Sequence, residues 1–195
     1  MPRVTGLRED RRGRVAVELD GAPWRVLPAD VVVRAELAEG RALDRAALRV
    51  LRRELRRAEA LGIAARALRP RELSEARLAE RLERAAVAPA ARTEALAALG
   101  RAGLVDDGRY AHNRARALAG RGYGDAAIAT DLERNGVSGE LVTEAIEALE
   151  PEAERARELV GRRGPGPRTA RYLAARGFGE DALEAALGAR FANDP

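Results

Sequence analysis

ARLAERLERAAV at residues 76–87 and AAIATDLERNGV at residues 126–137 are two copies of one helical segment. Leu78 falls on Ile128, Leu82 on Leu132 and Val87 on Val137, at a constant separation of 50. The same separation carries Leu68 to Leu118, Leu96 to Ile146 and Leu99 to Leu149. A separation of 41 reaches a third copy, taking Leu118 to Leu159, Leu132 to Leu173, Val137 to Phe178, Gly136 to Gly177 and Ile146 to Leu187. The difference falls in one connection, because Leu99 to Leu118 is 19 steps and Leu149 to Leu159 only 10. Self-similarity at fixed separations with one local deletion is the mark of tandem repeats. One short unit alone leaves much of its apolar stripe in water, whereas three in a row bury a continuous seam. The expected fold is therefore mainly α: three tandem three-helix repeats forming an elongated curved rod, led by a small N-terminal β-hairpin or meander and a linking helix.

The punctuation agrees with the period. Asp44 is a side-chain N-cap for the linking helix, along which Leu48, Leu51 and Leu55 recur at helical spacing. Further helices are expected near 74–86, 90–102, 107–120, 124–135, 139–149, 151–162, 167–176 and 180–190. Gly103, Gly122, Gly136, Gly164 and Gly177 stand at most of the joints, and Pro70, Pro89 and Pro151 mark further breaks. The expected segments are 1–43 for the N-terminal β element and short helix, 44–107 for the linking helix and repeat 1, 108–150 for repeat 2, 151–190 for repeat 3, and 191–195 for a C-terminal tail.

Ahead of the helices, Val15, Val17 and Leu19 alternate with Ala16 and Glu18, as a half-buried strand does. Asp20-Gly21 is a hairpin signal, after which Trp24 and Val26 are expected to continue the inward-facing alternation. Val4 and Leu7 supply an earlier short strand before a turn at Arg12-Gly13. A short helix opens at Pro28-Ala29-Asp30 and runs through about Leu37, with Gly40 as its stop.

Composition excludes several kinds of chemistry. There is no cysteine, so disulfides, thiol nucleophiles and Cys-ligated zinc are ruled out. The single histidine, His112, has no second histidine with which to build a metal site, and it is expected on a helix surface near Tyr110. Ser74 and Ser138 each precede a helix in cap position, outside any nucleophile elbow. Asp106-Asp107 invites a metal or acid–base reading, but Asp107 before Gly108-Arg109-Tyr110-Ala111 reads better as the cap of the next helix. Gly161–Pro167 lacks the Lys-Ser/Thr of a phosphate-binding loop and reads as an interhelical turn. No catalytic residue, metal or cofactor is expected. With no apolar run of membrane-spanning length and no secretory leader, the chain is expected to be cytoplasmic and free of membranes.

At this point the motifs carry a name. Leu68-Arg69-Pro70-Arg71-Glu72-Leu73-Ser74, followed by Leu78 and Leu82, resembles the first-repeat signature of the RecX family. Gly103-Leu104-Val105-Asp106-Asp107-Gly108-Arg109-Tyr110-Ala111 is similar to that family's junction between repeats, and Arg176-Gly177-Phe178 to the end of its third. The N-terminal β element, Asp30-Val31-Val32 and Gly40 resemble the leader of its longer members. Two departures stand out. Gly122-Tyr123-Gly124-Asp125 stands where a Gly-Pro-Arg is common, and Pro70 falls within the first signature. The resemblance implies a non-enzymatic modulator, and the chain is expected to be a monomer. Its partner is the RecA recombinase filament, bound in the helical groove, with single-stranded DNA met only indirectly or weakly. The implied effect is restraint of filament extension, ATP hydrolysis, strand exchange and co-protease activity.

All 35 basic residues are arginine, yet net charge is only +4, so position says more than total. Residues 1–40 hold seven arginines and seven acids, which leaves the whole excess to the C-terminal part. At the repeat separations, Arg66, Arg116 and Arg157 are equivalent, as are Arg71, Arg121 and Arg162. Chance gives about 0.2 such triple coincidences per repeat length, and two occur. The acid-free stretches 108–124 and 159–179 hold four and five arginines, with Arg168 and Arg171 opening the second helix of the last copy. These eight arginines are the candidate binding residues for phosphates or acidic patches. Two other readings stay open: a helix-turn-helix protein binding DNA directly, and a passive helical scaffold. Aromatic content of 3% offers little for base stacking.

Overall fold

The computed structural model describes residues 1–188. The tail expected at 191–195 and the last two residues of the third repeat lie outside them. Among the described residues there are three strands, β1 (Val4–Glu9), β2 (Arg14–Leu19) and β3 (Ala22–Pro28), and ten helices. The helices are α1 (Ala29–Arg34), α2 (Arg45–Leu68), α3 (Glu75–Arg84), α4 (Pro89–Arg101), α5 (Asp107–Ala119), α6 (Asp125–Arg134), α7 (Gly139–Glu147), α8 (Glu152–Arg163), α9 (Pro167–Ala175) and α10 (Glu180–Leu187). The chain divides into two compact units, Met1–Arg71 with Leu78–Ala102, and Glu72–Arg77 with the residues from Gly103 onward.

In the first unit the strands form an antiparallel meander in the order β1-β2-β3. Asp10 closes the first turn by accepting from the amides of Arg12 (2.8 Å) and Arg14 (3.0 Å). Asp20 and Gly21 both take positive φ, 50° and 82°, as the twist-matched hairpin turn demands. Val4, Val15, Val17 and Leu27 face Val31, Val32, Leu43, Ala47 and Leu51 in one core.

The phase of β3 differs from expectation. A regular hairpin from Asp20-Gly21 would set Val17 opposite Trp24 and Val15 opposite Val26. Instead Glu18 pairs with Pro23 and Val17 with Arg25, so Trp24 is the extra residue of a bulge. One added residue flips the faces that follow it. Leu27 therefore goes inward opposite Val15, and Val26 is left 52% exposed. The short helix is also shorter than expected. Glu36 takes a left-handed φ of 50°, and the Leu37 amide closes back on the Val32 carbonyl at 2.9 Å, ending α1 at Arg34.

Asp44 caps α2 as expected, accepting from the Ala47 amide at 2.7 Å. In this unit α2 packs along α4. In the second unit α5, α6 and α7 enclose Ala111, Ala115, Leu118, Ile128, Leu132 and Val142, and α8, α9 and α10 enclose Ala156, Val160, Leu173, Phe178 and Leu183. Leu78, Leu82, Ile128, Leu132 and Leu173, which the repeat spacing superposes, are all among the fully buried large side chains.

The first helix of the first copy is the exception. Its buried alanines, Ala60, Ala64 and Ala67, correspond to Ala111, Ala115 and Leu118 at a separation of 51, not 50. The connection Arg69–Ser74 is one residue longer than its counterpart Gly120–Gly124, and the extra residue is absorbed there. Arg66 is consequently one position, about 100° of helix turn, out of phase with Arg116.

Candidate partner-binding surface

The second unit is held together by one junction used twice. The first residue of α5, Asp107, accepts from the amide of Glu75 at the start of α3 (2.7 Å). The first residue of α8, Glu152, accepts from the amide of Asp125 at the start of α6 (2.6 Å), and its other oxygen accepts from Gly179 ahead of α10 (3.1 Å). Ser74 donates to the Asn135 carbonyl, and at the equivalent place the Gly124 amide donates to the Arg176 carbonyl (2.9 Å). Close approach accompanies both. A Cβ on Gly136 would stand 2.3 Å from that of Ala76, and one on Gly177 2.6 Å from that of Ala127.

These contacts correct several expectations. The cap of α5 is Asp106, which accepts from the Arg109 amide at 2.9 Å, while Asp107 caps α3 instead. A carboxylate in the first helical turn points outward, free to reach a neighbouring helix start. Ser74 does cap α3, accepting from Arg77 at 3.2 Å, but Ser138 sits at the α7 N-cap without a side-chain cap bond. His112 is half-buried, with Nδ1 2.8 Å from the Gly108 carbonyl. The expected turn from Gly161 is shorter, since α8 continues to Arg163 and Pro167 already opens α9.

A buried charge locks α8 in place. The guanidinium of Arg155 donates to the carbonyls of Glu150 and Tyr123, both at 2.9 Å, pairs with Asp125, and lies over the Phe178 ring. Arg155 and Glu152 were not among the sequence candidates. The available signal was Arg155 standing within the apolar stripe of Ala156, Leu159 and Val160.

All eight candidate arginines are exposed. Arg116, Arg121 and Arg162 come together around one hollow of about 390 Å³, whose wall includes Leu149 and Leu159 and where Arg155 also contributes. Arg162 pairs with Glu158 at 2.8 Å. Arg157 does not border this hollow: the residues of α8 that do are Arg155, Glu158, Leu159 and Arg162, and Arg157 lies off their face. Arg168 and Arg171 stand on α9, also away from the hollow. In the first unit Arg66 borders a separate hollow with Arg81 and Arg84, and Arg71 lies in the connection that follows α2. Of the equivalent pairs within the second unit, Arg121 and Arg162 thus converge on the hollow, whereas Arg116 does so without Arg157.

Away from the hollow, two carboxylates of the second unit are held in ion pairs. Arg114 holds Asp131 bidentately at 2.8 Å, and this hydrogen bonding keeps the Asp131 carboxyl below its ordinary range, aided by the charge of Arg121. Glu72 is likewise held low, first by the Asn113 amide and then by Arg109. Both carboxylates are charged at neutral pH and already engaged.

The fold is mainly helical with a small three-stranded antiparallel sheet, and in the second unit the triplets α5–α7 and α8–α10 each enclose a core. Residues 106–146 match the family model described as "RecX, second three-helix domain". A crystal structure of "regulatory protein RecX" superposes with a TM-score of 0.82 at 20% identity, covering 95% of this chain and 98% of that one. The crystal structure of RecX from Lactobacillus salivarius gives 0.60 at 16% identity, over 67% of this chain and 94% of that one. No curated protein matches. Over residues 106–146 the chain is thus similar to a RecX domain, and its fold is the one those structures share. Among the described residues no helix is long and apolar enough to cross a membrane.

Proposed function

We propose that this protein is a regulator of the RecA recombinase: it binds the RecA–single-stranded DNA filament in its groove and restrains extension, ATP hydrolysis, strand exchange and co-protease activity. It acts by binding, as a cytoplasmic monomer, and not by catalysis. The helical groups 44–107, 108–150 and 151–190 serve as its three repeats. The match of residues 106–146 to a RecX domain model and the shared fold support the partner. The observation that carries the choice of surface is the convergence of Arg116, Arg121 and Arg162 on one hollow. Arginine forks recognise carboxylate and phosphate alike, the two groups a nucleoprotein filament offers. Arg66, Arg71, Arg157, Arg168 and Arg171 extend the contact as separate exposed charges.

The test is ATP hydrolysis by RecA assembled on single-stranded DNA, with this protein added below one per recombinase protomer. Inhibition at that ratio is expected. Arg116→Glu, Arg121→Glu and Arg162→Glu combined should weaken it and flatten its salt dependence. Full inhibition by the folded triple variant sinks the assignment of the surface. Inhibition only at amounts that coat the DNA points to direct DNA binding instead.

A further inference from the structure

Arg121 is exposed, yet the fold holds it at both ends. Arg176 Nη1 donates to the Arg121 carbonyl at 2.9 Å, and the Arg121 guanidinium lies 5.7 Å from the centre of the Tyr123 ring. Arg176 itself sits over Tyr123 at 4.6 Å and over Tyr172 at 5.1 Å, and Arg163 covers Tyr172 at 3.8 Å. Arg163, Tyr172, Arg176, Tyr123 and Arg121 are therefore one continuous run of guanidinium and ring. Among the described residues no carboxylate is ion-paired with Arg116, Arg121, Arg163 or Arg176.

Each cation–ring contact at an exposed site is a modest attraction. Against that stand mutual repulsion and the rotamer entropy of long side chains held in place. Ordering arginines before a partner arrives removes part of the cost of binding one. The hollow that Arg121 borders lies within the usual range for small-ligand sites, roughly 300–1,000 Å³. Leu149 and Leu159 give it an apolar wall, and of its two glutamates, Glu150 and Glu158, the latter is already paired with Arg162, so the arginines outnumber the carboxylates.

We infer that this hollow is a binding site for a free oligophosphate, such as the phosphate chain of a nucleoside triphosphate. A single carboxylate satisfies one arginine fork. Three forks around one hollow call for several oxygens and more than one negative charge, which an oligophosphate supplies. Tyr123 acts as a positioning residue that aims Arg121, without itself touching the ligand. The site shares Arg116, Arg121 and Arg162 with the surface proposed above, but its measurement needs no recombinase, so the two readings fail separately.

The experiment is titration calorimetry of the full chain with inorganic tripolyphosphate, with adenosine triphosphate free of magnesium, and with an oligothymidylate. Submillimolar binding of tripolyphosphate and of the nucleotide is expected. Arg116→Ser, Arg121→Ser and Arg162→Ser together should weaken it by about tenfold or more, the loss of charge-assisted bonds. Arg101→Ser, an exposed change on α4 that does not border the hollow, should leave it unchanged. Tyr123→Phe, which keeps the ring face, should retain affinity, and Tyr123→Leu should lower it while the helical circular dichroism is preserved. No binding at millimolar tripolyphosphate overturns the inference, as does equal affinity in the Arg116/Arg121/Arg162 variant. Binding of the oligothymidylate without tripolyphosphate overturns it too, in favour of an extended nucleic-acid backbone.

Discussion

Asp106 turns its carboxylate back to the Arg109 amide at 2.9 Å, while Asp107, one residue on, reaches the Glu75 amide at 2.7 Å. A capping carboxylate satisfies a helix-start amide that would otherwise lack a partner, and its loss costs about 1 kcal/mol. The two aspartates therefore stabilise different helices, and their alanine variants should be separable by hydrogen exchange. Asp106→Ala is expected to speed exchange at Arg109. Asp107→Ala is expected to speed it at Glu75, which is 32 residues away in sequence. Faster exchange confined to the start of α5 in both variants would return Asp107 to the role of a local cap. Sequence reasoning recognised that this pair is structural, because aspartate before an apolar-periodic run is a strong helix-start signal. It misassigned Asp107 because the amide that carboxylate serves belongs to another helix, and no local pattern records that.

At the level of the helix, the second member of each triplet ends in the same way. The amides of Val87, Val137 and Phe178 close onto the carbonyls of Leu82, Leu132 and Leu173 at 3.0–3.2 Å. The residue before each closing amide is left-handed: Ala86 at φ 56°, Gly136 at 78° and Gly177 at 80°. Alanine pays a steric penalty there that glycine does not. Ala86→Gly should therefore raise stability by about 0.5–1 kcal/mol, read as a higher urea midpoint. Gly136→Ala combines the same strain with a Cβ placed 2.3 Å from that of Ala76 and should cost about 2 kcal/mol or more. A lower midpoint for Ala86→Gly would show that the end of α3 is not strained. Helix ends of this kind were legible because glycine marks them chemically. The phase of β3 and the register of α2 were not. A bulge at Trp24 shifts the positions after it, and one added residue in Arg69–Ser74 shifts those of α2 before it, while leaving composition and period almost unchanged.

For the molecule as a whole, the consequence of a junction used twice is that each triplet depends on its successor. Glu152 caps α6 from outside it, Arg155 takes the Tyr123 carbonyl and the Asp125 carboxylate, and Gly177 closes onto Ala127. In repeat proteins stability is a sum of unit and nearest-neighbour terms, so deleting a unit removes its neighbour's interface as well. A chain ended after Glu150 should thus loosen α6 without touching the β meander, whose core is made within residues 4–51. Loss of the cap and of the buried arginine bonds makes a deficit of a few kcal/mol. The amides of α6 should then exchange at least about tenfold faster, with Val17 in the sheet unchanged. Glu152→Gln with Arg155→Met in the full chain should reproduce part of the effect, because it removes the charges while the third triplet stays. Unaltered protection of α6 in the shortened chain would mean that the second triplet stands without its neighbour, and that the contacts from α8 and from Gly177 are ornamental to its stability.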